Sequence, residues 1–544
     1  AGYVESEHPE FLVNKLYYDA YKKDMAAGTY PDVRSGLQKL LKDGLLLFNY
    51  TGHGGTTALS DEKVLTQTDI NQFTYTHLPV WVTATCDFTR FDDLNTSAGE
   101  DVFLNKSSGG IALFTTVRVA YSRPNFPIND NVIRNLFERN NGRRRTLGEV
   151  MQATKNTLSS VYKLGFCLIG DPAVKMAYPE FGMKVTTVNG QAVDENSISF
   201  KALEKITVEG EVLDASGQLV TDFTGIVNPT VKDSKVTVTC LKNSNKDDTP
   251  AFTFTDYPNT IFIGNDSVRN GKFSFTFTVP KDISYSNLQG KMNLYAVDTE
   301  NGHEAQGNFD NFIVGGTSDT AETDTIGPEI RALYLNDTTF VDGGQVNTTP
   351  YFVAELWDKS GVNITGSSVG HDMMLVIDES TVLSYNLNSY YELLPGEEGA
   401  GIVKFPIPAL EPGKHTAEFW VWDIQNNSTV RTFTFEVVEG LKPFLFDVIA
   451  TPGIAREQVT FHLMHNRPES RMRVGIMVYD LAGRQLWKHE ESGTSGLFEN
   501  YTVSWDLTCG GARMRPGVYI YRAAISTDNS KDATKARKFI ILGE

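Results

Sequence analysis

The stretch LLLFNYTGHGG (residues 45–55) decides the fold of the first third of the chain. It begins as a short apolar run and ends in a glycine-rich loop, which is typical of a buried strand followed by a functional loop. A second apolar run, LPVWVTATCDF (78–88), ends in the same way just before Cys86. Residues with helical spacing lie between and around the two runs, so the pattern predicts alternating strands and helices.

The rest of the segment up to about residue 180 follows the same rhythm. Capping-box spacing predicts helix starts at Ser97 with Glu100 and at Thr146 with Glu149. Helices are expected near 11–20, 37–43, 68–73, 128–139 and 147–160, and strands at 45–50, 80–85, 110–116 and 166–170. We therefore predict a doubly wound α/β domain over residues 1–180, with a parallel sheet covered by helices on both faces.

The remaining two thirds of the chain lack helical spacing and consist of short alternating segments separated by Gly, Asn, Asp and Pro. This pattern predicts all-β structure. We expect Ig-like β-sandwich modules at 181–316, 327–440 and 441–544. The polar stretch GGTSDTAETDTIGP (315–328) between the first two is expected to be a linker.

Composition and charge narrow the class of protein. The chain has 544 residues, a formal net charge of −18 and 40% hydrophobic residues, which is globular and too acidic for general nucleic-acid binding. No apolar run approaches the roughly 20 residues that span a bilayer. The first ten residues, AGYVESEHPE, contain no signal peptide, and we expect that the sequence starts inside a domain.

His53 and Cys86 are the candidate catalytic residues. Taken singly, the GHG loop could be a tight turn and Cys86 could fill a core. Taken together, each follows an apolar strand, and a right-handed crossover would place these strands side by side and parallel. The two side chains would then meet at one rim of the sheet, where an imidazole can generate the thiolate that attacks a carbonyl. This joint pattern favours a cysteine nucleophile with a histidine base.

The other chemically active residues support weaker hypotheses. Among the three other cysteines, Cys167 and Cys240 fit strand cores and Cys509 fits a turn. His462 and His465 lack further ligands at metal-binding spacing, so no metal site is expected there. Solvated loops are the simplest interpretation of Arg143–Arg145, of Asp61 with Glu62 and of Asp92 with Asp93. No cofactor is expected. The acidic loops could bind calcium, but no EF-hand motif supports such a site.

Four ordered motifs carry a family resemblance. NYTGHGG, PVWVTATCDFTRFDD, SAGEDVFLNKSSGGIALFTT and CLIGDPAVKMAYP resemble the gingipain family of cysteine peptidases, over about residues 1–180. The resemblance implies a caspase/gingipain-like fold in which His53 is the general base and acid and Cys86 is the nucleophile. It also implies an oxyanion hole made by the N–H groups of Gly54 and Cys86. The family's helper acid comes earlier in its catalytic domain, so Glu5 or Glu7 would have to substitute for it here.

The last module carries a second resemblance. VGIMVYDLAGRQLW, VSWDLTCGGARMRPGVYIYR and KARKFIILGE resemble the C-terminal sorting domain of type IX secretion. This resemblance implies export to the cell surface and outer membrane of a Bacteroidota-type bacterium. Together the two resemblances imply a surface sortase. Its partners would be a PorV-like outer-membrane barrel protein, cargo bearing sorting domains and anionic lipopolysaccharide, but not nucleic acid. A secreted endopeptidase and a non-catalytic adhesin remain open as alternatives.

Overall fold

A computed structural model gives the architecture of the chain. It describes residues 1–140, 142–193, 198–243, 250–319, 323–366, 370–394, 397, 399–527 and 529–542. None of the helices in these ranges is long and apolar enough to cross a bilayer.

The N-terminal domain has the alternating elements that the sequence predicts. Its helices are α1 (Gly2–Glu7), α2 (Pro31–Asp43), α3 (Gln67–Gln72), α4 (Ala98–Leu104), α5 (Ser122–Phe137) and α6 (Leu147–Thr157), with 3₁₀ turns at Tyr18–Ala20 and Val161–Gly165. Its strands are β1 (Leu47–Thr51), β2 (Gly54–Gly55), β3 (Ala58–Leu59), β4 (Leu65–Thr66), β5 (Val80–Ala84), β6 (Ala112–Thr116), β7 (Arg139–Asn140), β8 (Arg143–Arg144) and β9 (Phe166–Ile169).

The central sheet has the strand order β1–β5–β6–β9. β1, β5 and β6 run parallel, and helices cover both faces through two hydrophobic clusters. β9 is antiparallel to β6, so the prediction of an all-parallel sheet is wrong for its last strand. Two helices, α5 and α6, and a 3₁₀ turn connect β6 to β9 in place of the single helix of a βαβ crossover, so the parallel rule does not apply to this strand.

The helix starts are the best-predicted local features. Both capping boxes are present, Ser97 with Glu100 and Thr146 with Glu149. α2 ends where Gly44 takes a φ of +100°, a conformation that favours glycine.

The predicted helix over 11–20 is wrong. Only α1 and the turn at Tyr18–Ala20 are helical, and residues 8–17 run along the first β module. Asn293 Nδ2 donates to the carbonyls of Pro9 and Glu10, and Lys15 Nζ donates to the carbonyl of Thr255 at 2.6 Å. Tertiary hydrogen bonds to the module therefore replace the helical ones, while Phe11, Val13 and Leu16 pack against the hydrophobic clusters of the α/β domain.

The first β module combines one large sheet with smaller ones. Its strands are β10 (Phe181–Val188), β11 (Gln191–Ala192), β12 (Ile198–Ala202), β13 (Lys205–Leu213), β14 (Gly225–Lys232), β15 (Val236–Thr239), β16 (Thr253–Asp256), β17 (Thr260–Ile263), β18 (Asp266–Arg269), β19 (Lys272–Thr278), β20 (Leu288–Gln289), β21 (Lys291–Asp298), β22 (Glu304–Phe309) and β23 (Phe312–Thr317). The large sheet has the order β11–β10–β13–β19–β18–β14–β21–β22, with β17 beside β14, and β12–β23–β20 packs on it. Phe200 of β12 contacts Phe277 of β19 across the core, 5.8 Å between ring centroids.

The two following modules each pack two sheets face to face. The second contains β24 (Glu329–Leu335), β25 (Gly344–Val346), β26 (Tyr351–Trp357), β27 (Met374–Ile377), β28 (Ser384–Asn386), the 3₁₀ turn Asn388–Tyr390, β29 (Tyr391–Leu393), β30 (Ala400–Pro406), β31 (Gly413–Trp422) and β32 (Ser428–Val437). The third contains β33 (Leu445–Thr451), β34 (Ile454–Ala455), β35 (Val459–His465), β36 (Met472–Tyr479), β37 (Gln485–Gly493), β38 (Tyr501–Trp505), β39 (Thr508–Cys509), β40 (Ala512–Arg513), β41 (Gly517–Ser526) and β42 (Ala533–Ile541). Phe352 and Phe419 close the second core and Phe461 and Tyr521 the third, with ring centroids 5.0 and 4.9 Å apart.

Polar contacts join the modules. The Lys281 N–H donates to the carbonyl of Ile424, which ties the first β module to the second. The third module reaches back to the α/β domain, where Lys42 pairs with Glu469 at 2.6 Å and Arg471 donates to the carbonyl of Asn71 at 3.0 Å. The third β module therefore contacts the α/β domain as well as following the second module in the chain.

Candidate active site

His53 and Cys86 lie at the same level beyond two neighbouring strands. β1 and β5 are parallel, with Thr51 opposite Ala84, and each candidate residue follows its strand by two positions. The Gly52 N–H donates to the carbonyl of Ala84 at 3.4 Å, which carries the pairing one step past the strand ends. The predicted parallel, adjacent arrangement is confirmed for the strands that carry both residues.

The loop after β1 holds its backbone firmly and leaves its imidazole exposed. The carbonyl of His53 accepts two hydrogen bonds, from the Tyr50 hydroxyl at 2.6 Å and from the Ser60 N–H at 2.8 Å. Tyr50 is buried, and burial followed by the neighbouring Tyr18 raises its pKa, so it remains a hydroxyl donor. The ring of His53 lies at the surface, where it can exchange protons with solvent and substrate.

Gly54 makes the closest approach between the two rim loops. A Cβ atom on Gly54 would lie 2.5 Å from Oγ1 of Thr85, the residue directly before Cys86, so the fold requires glycine there. Gly54 pairs with Leu59 between β2 and β3, and the Ser60-to-His53 hydrogen bond fixes the phase of this ladder. In an antiparallel ladder the hydrogen-bonded pairs alternate, so the Gly54 N–H points away from β3 and is not used by it.

The Cys86 thiol is half-buried and sits against the segment that follows β6. Its Sγ donates to the carbonyl of Ala120 at 3.1 Å and accepts from the Ala120 N–H at 3.4 Å. The backbone turns sharply directly after it, since Asp87 has a φ of +50°. The thiol is thus placed by backbone groups of a neighbouring loop.

The other cysteines are placed differently. Cys240 is buried, and burial raises the pKa of its thiol, which suits the predicted structural role. Cys509 donates to the carbonyl of Leu486 at 2.7 Å, and Cys167 is half-buried in β9 rather than fully in the core. Cys86 alone of the four follows a parallel strand at the rim that carries His53.

Two polar links tie the loop that carries Cys86 to its neighbours. Thr116 Oγ1 donates to the carbonyl of Thr85 at 2.5 Å. Arg118 makes a two-pronged ion pair with Asp92, which lowers the pKa of the Asp92 carboxyl. The predicted solvated role of Asp92 is therefore incomplete, because it pairs with an arginine of the segment that contacts Cys86.

An exposed apolar surface lies beside Cys86, and the sequence reasoning missed it. Tyr121 directly follows Ala120 and contacts Tyr162 with ring centroids 5.5 Å apart. The large exposed apolar residues of this surface are Val119, Tyr121, Phe126, Val161, Tyr162 and Leu164. They come from the β6–α5 loop, the start of α5 and the 3₁₀ turn, so no short sequence window contains them.

Several predicted residues lie elsewhere or act otherwise. Glu5 pairs with Lys15 at 2.7 Å, and Glu7 accepts from the Ser6 hydroxyl, so both are engaged far from the rim. The loop interpretation is wrong for Arg144, which lies over the Tyr178 ring and donates to the carbonyl of Phe137.

The remaining basic and acidic loop residues are also partly paired. Arg143 forms an ion pair with Glu149 and lowers the pKa of that carboxyl to about 2. Glu62 pairs with Lys23 at 3.1 Å.

The acidic group best placed to hold a cation lies outside the rim. In the part of the chain that the structure describes, Asp324, Asp358 and Asp423 have carboxylate oxygens within 4.8 Å of one another. Burial raises the pKa values of Asp358 and Asp423. The acidic pairs named from the sequence do not join this cluster.

Two adjacent parallel strands that end at one rim, one followed by a histidine and the other by a cysteine, fit a cysteine peptidase type of domain. Residues 1–177 match the model of peptidase family C25, so this part of the chain is similar to the cysteine peptidase domains of that family.

Solved structures were compared with the whole chain. Dimeric latent PorU from Porphyromonas gingivalis is 36% identical, covering 80% of this chain and 41% of that one, with a TM-score of 0.34. The Arg-specific cysteine proteinase gingipain R is 19% identical over 52% of this chain and 56% of its own, with a TM-score of 0.26. This chain thus spans less than half the length of the PorU structure. No curated protein matches the chain.

Proposed function

We propose that this chain belongs to a PorU-like cell-surface sortase. This enzyme would cleave the C-terminal sorting domain from type IX secretion cargo and transfer the cargo to anionic lipopolysaccharide. The observation that carries the proposal is the equal register of His53 and Cys86 beyond β1 and β5. The family match over residues 1–177 supports cysteine peptidase chemistry at this rim.

The proposed chemistry is acyl transfer through a thioester. His53 takes the thiol proton as Cys86 Sγ attacks the carbonyl carbon before the sorting domain. The C–N bond then breaks, and His53 gives the proton to the leaving amine. An amine on lipopolysaccharide attacks the thioester carbonyl, the C–S bond breaks, and the thiol is restored.

Two backbone donors would stabilise the negative oxygen of the tetrahedral intermediate. The Gly54 N–H is directed away from β3, and the Cys86 N–H lies on the loop packed against it. One such donor contributes about 2.7–4 kcal/mol to comparable acyl-transfer sites. Substrate side chains next to the scissile bond would contact the apolar surface around Tyr121 and Tyr162.

The proposed location and partners follow from the sorting-type module. We place the protein at the outer-membrane surface, with a PorV-like barrel protein as its anchor and sorting-domain-bearing cargo as its substrate. The module's docking through Lys42 with Glu469 supports a role as a fixed part of the enzyme rather than a tail awaiting removal.

The test is the chemical nature of the cargo C-terminus. Cells producing the full-length protein with Cys86→Ala should accumulate cargo that retains its sorting domain, whereas Cys167→Ala, another half-buried cysteine of the same sheet, should process it normally. Mass spectrometry of wild-type product should find the cargo C-terminus joined to lipopolysaccharide. A free carboxylate would identify an endopeptidase instead, and normal processing by the Cys86 variant would refute both enzymes.

The adhesin alternative is decided by the reactivity of the thiol. Alkylation of Cys86 that is fast and depends on His53 supports an enzyme. A thiol that resists alkylation in the native protein and reacts only after denaturation supports the adhesin.

A further inference from the structure

The large sheet of the first β module is split along part of its length. β17 and β18 form one nearly continuous strand beside β14. β18 also pairs with β19, at Val268 opposite Phe273, but β17 has no ladder with β19. A slot therefore opens between β17 and the second half of β19, which we call the sheet slot (residues 260–267 and 274–278).

The backbone groups along β19 are directed into the sheet slot. The Val279 N–H donates to the carbonyl of Glu204 at 2.9 Å, which fixes the phase of the β13–β19 ladder. Hydrogen-bonded pairs alternate along an antiparallel ladder, so Phe277 and Phe275, like Val279, direct their backbone groups towards β13. The N–H and C=O groups of Ser274, Thr276 and Thr278 point the other way, away from β13. These groups form a strand edge, and no strand of the described residues pairs with it.

β17 presents a matching edge from the other side. The Gly264 N–H donates to the carbonyl of Pro229 at 3.1 Å, which fixes the phase of this strand against β14. The backbone groups of Ile263, one position away, therefore point into the sheet slot. An edge on both sides is unusual inside a sheet, because such edges normally bond to a neighbouring strand.

A cavity of about 650 Å³ occupies the sheet slot and extends to the second β module. This volume falls within the roughly 300–1,000 Å³ of ligand sites. Three aromatic rings of the sandwich core line it: Phe262 lies 4.8 Å from Phe277 and 6.3 Å from Phe275 between ring centroids. Phe262 points to the core side yet remains only half-buried, so the slot gives access to the core.

The outer wall of the cavity belongs to the second β module and is also largely apolar. Val362, Ile364 and Tyr391 contribute to it. Charged residues of both signs lie at its boundary, Lys205 and Asp266 among them. The cavity therefore favours neither a positively nor a negatively charged ligand. The features that the sheet slot offers are backbone donors and acceptors between two apolar walls.

We propose that the sheet slot binds an extended peptide segment of another protein by strand addition. The segment would bond to the edges at Thr276 and Ile263, as β-augmentation peptides do. Since successive side chains of a strand point to opposite faces, its alternate apolar side chains would contact Phe262 and Phe277. This proposal is independent of the cysteine chemistry at the rim.

Thr276→Pro is the decisive variant. Proline removes the N–H that points into the slot. It breaks no backbone hydrogen bond between β19 and β13, because the Thr276 N–H does not point towards β13. Thr276→Ser keeps the N–H and serves as the matched control. A displayed library of random seven-residue peptides is selected on the full wild-type chain, and the enriched peptides are tested on both variants by fluorescence anisotropy.

The expected result is enrichment of peptides whose apolar residues alternate, with binding weakened at least tenfold by Thr276→Pro and unchanged by Thr276→Ser. The same peptides N-methylated at alternate residues should also lose binding to wild-type protein, a readout that does not depend on the fold of any variant. Absence of enriched peptides, or peptides that bind the proline variant equally, overturns the proposal. Wild-type dimers that Thr276→Pro dissociates would instead make a second copy of the chain the occupant, and would likewise overturn it.

Discussion

The rim of the α/β domain and the 465–471 segment of the third β module use opposite designs. At the rim the backbone is held, by Tyr50 and Ser60 on the His53 carbonyl, while the imidazole is exposed. In the third module side chains hold the backbone, and the central one is buried. Arg467 is 1% exposed and donates to the carbonyls of Leu441 and Asn466.

His53 at the rim and His465 in the third module differ in the same way. His465 accepts the Arg467 N–H at Nδ1 and reaches the Ser495 hydroxyl through Nε2, and burial lowers its pKa to about 4. A buried imidazole with both nitrogens engaged fixes structure, whereas an exposed one above a fixed backbone can transfer protons. Changes at the rim should therefore alter activity, and changes in the 465–471 segment should alter stability.

The largest expected effect is on activity, from Gly54→Ala. The added Cβ would meet Thr85 Oγ1 at 2.5 Å and move the proposed oxyanion donor, so kcat/KM should fall about 100- to 1,000-fold. Gly55→Ala is the matched control, since a Cβ there meets nothing within 4 Å and should change kcat/KM less than about threefold. Equal effects of the two substitutions in a cargo-processing assay would contradict the role given to Gly54.

The next effect is on stability, from Arg467→Met. Loss of the charged hydrogen bonds to Leu441 and Asn466 should lower the free energy of unfolding by about 3 kcal/mol. Arg471→Met removes one hydrogen bond of an exposed arginine and should cost less than about 1 kcal/mol. Urea unfolding at neutral pH measures both, and catalytic rates of the folded variants should equal that of wild type.

His465 should make stability depend on pH. Its pKa of about 4 in the folded chain lies below its ordinary value of 6.5, so below pH 6.5 the unfolded chain binds a proton that the folded chain does not. The free energy of unfolding should therefore fall by about 2 kcal/mol from pH 7 to pH 5 and stop falling through this group below pH 4. His465→Gln should flatten that part of the pH profile, and an unchanged slope between pH 7 and pH 5 in this variant would contradict the assignment.

The smallest effect is expected from Tyr50→Phe. Loss of its hydrogen bond to the His53 carbonyl should loosen the loop and lower kcat/KM about fivefold, corresponding to about 1 kcal/mol. Tyr75→Phe removes a similar buried bond, to the Gly109 carbonyl at 2.8 Å, but far from the rim. Tyr75→Phe should lower the free energy of unfolding by a similar amount without changing kcat/KM. A fall in kcat/KM for Tyr75→Phe would mean that the effect of Tyr50→Phe is no evidence for a role of its hydrogen bond to His53.

Sequence patterns predicted what local interactions and parallel strand pairing decide. The apolar runs, the capping boxes and the loops after β1 and β5 place His53 and Cys86 at one rim, because parallel strands share their carboxyl edge. Residues 8–17 and the direction of β9 were beyond such patterns. The course of residues 8–17 depends on contacts with residues hundreds of positions away, such as Asn293. The direction of β9 depends on the chain reversal after α6.

The surroundings of the site were equally hidden from the sequence. Ala120 contacts Cys86 from 34 positions away, and Tyr121 meets Tyr162 because the start of α5 lies beside the 3₁₀ turn. The sheet slot exists because β17 does not pair with β19, and no sequence motif predicts that two strands fail to pair.

The reversed β9 also has a mechanical consequence. It is the last strand of the α/β domain and lies at the edge of the sheet, with β5 and β6 between it and β1. Tension carried by the covalent chain from the downstream modules enters the sheet at β9. Within the sheet it reaches β5 and β1, the strands that precede Cys86 and His53, only by way of β6.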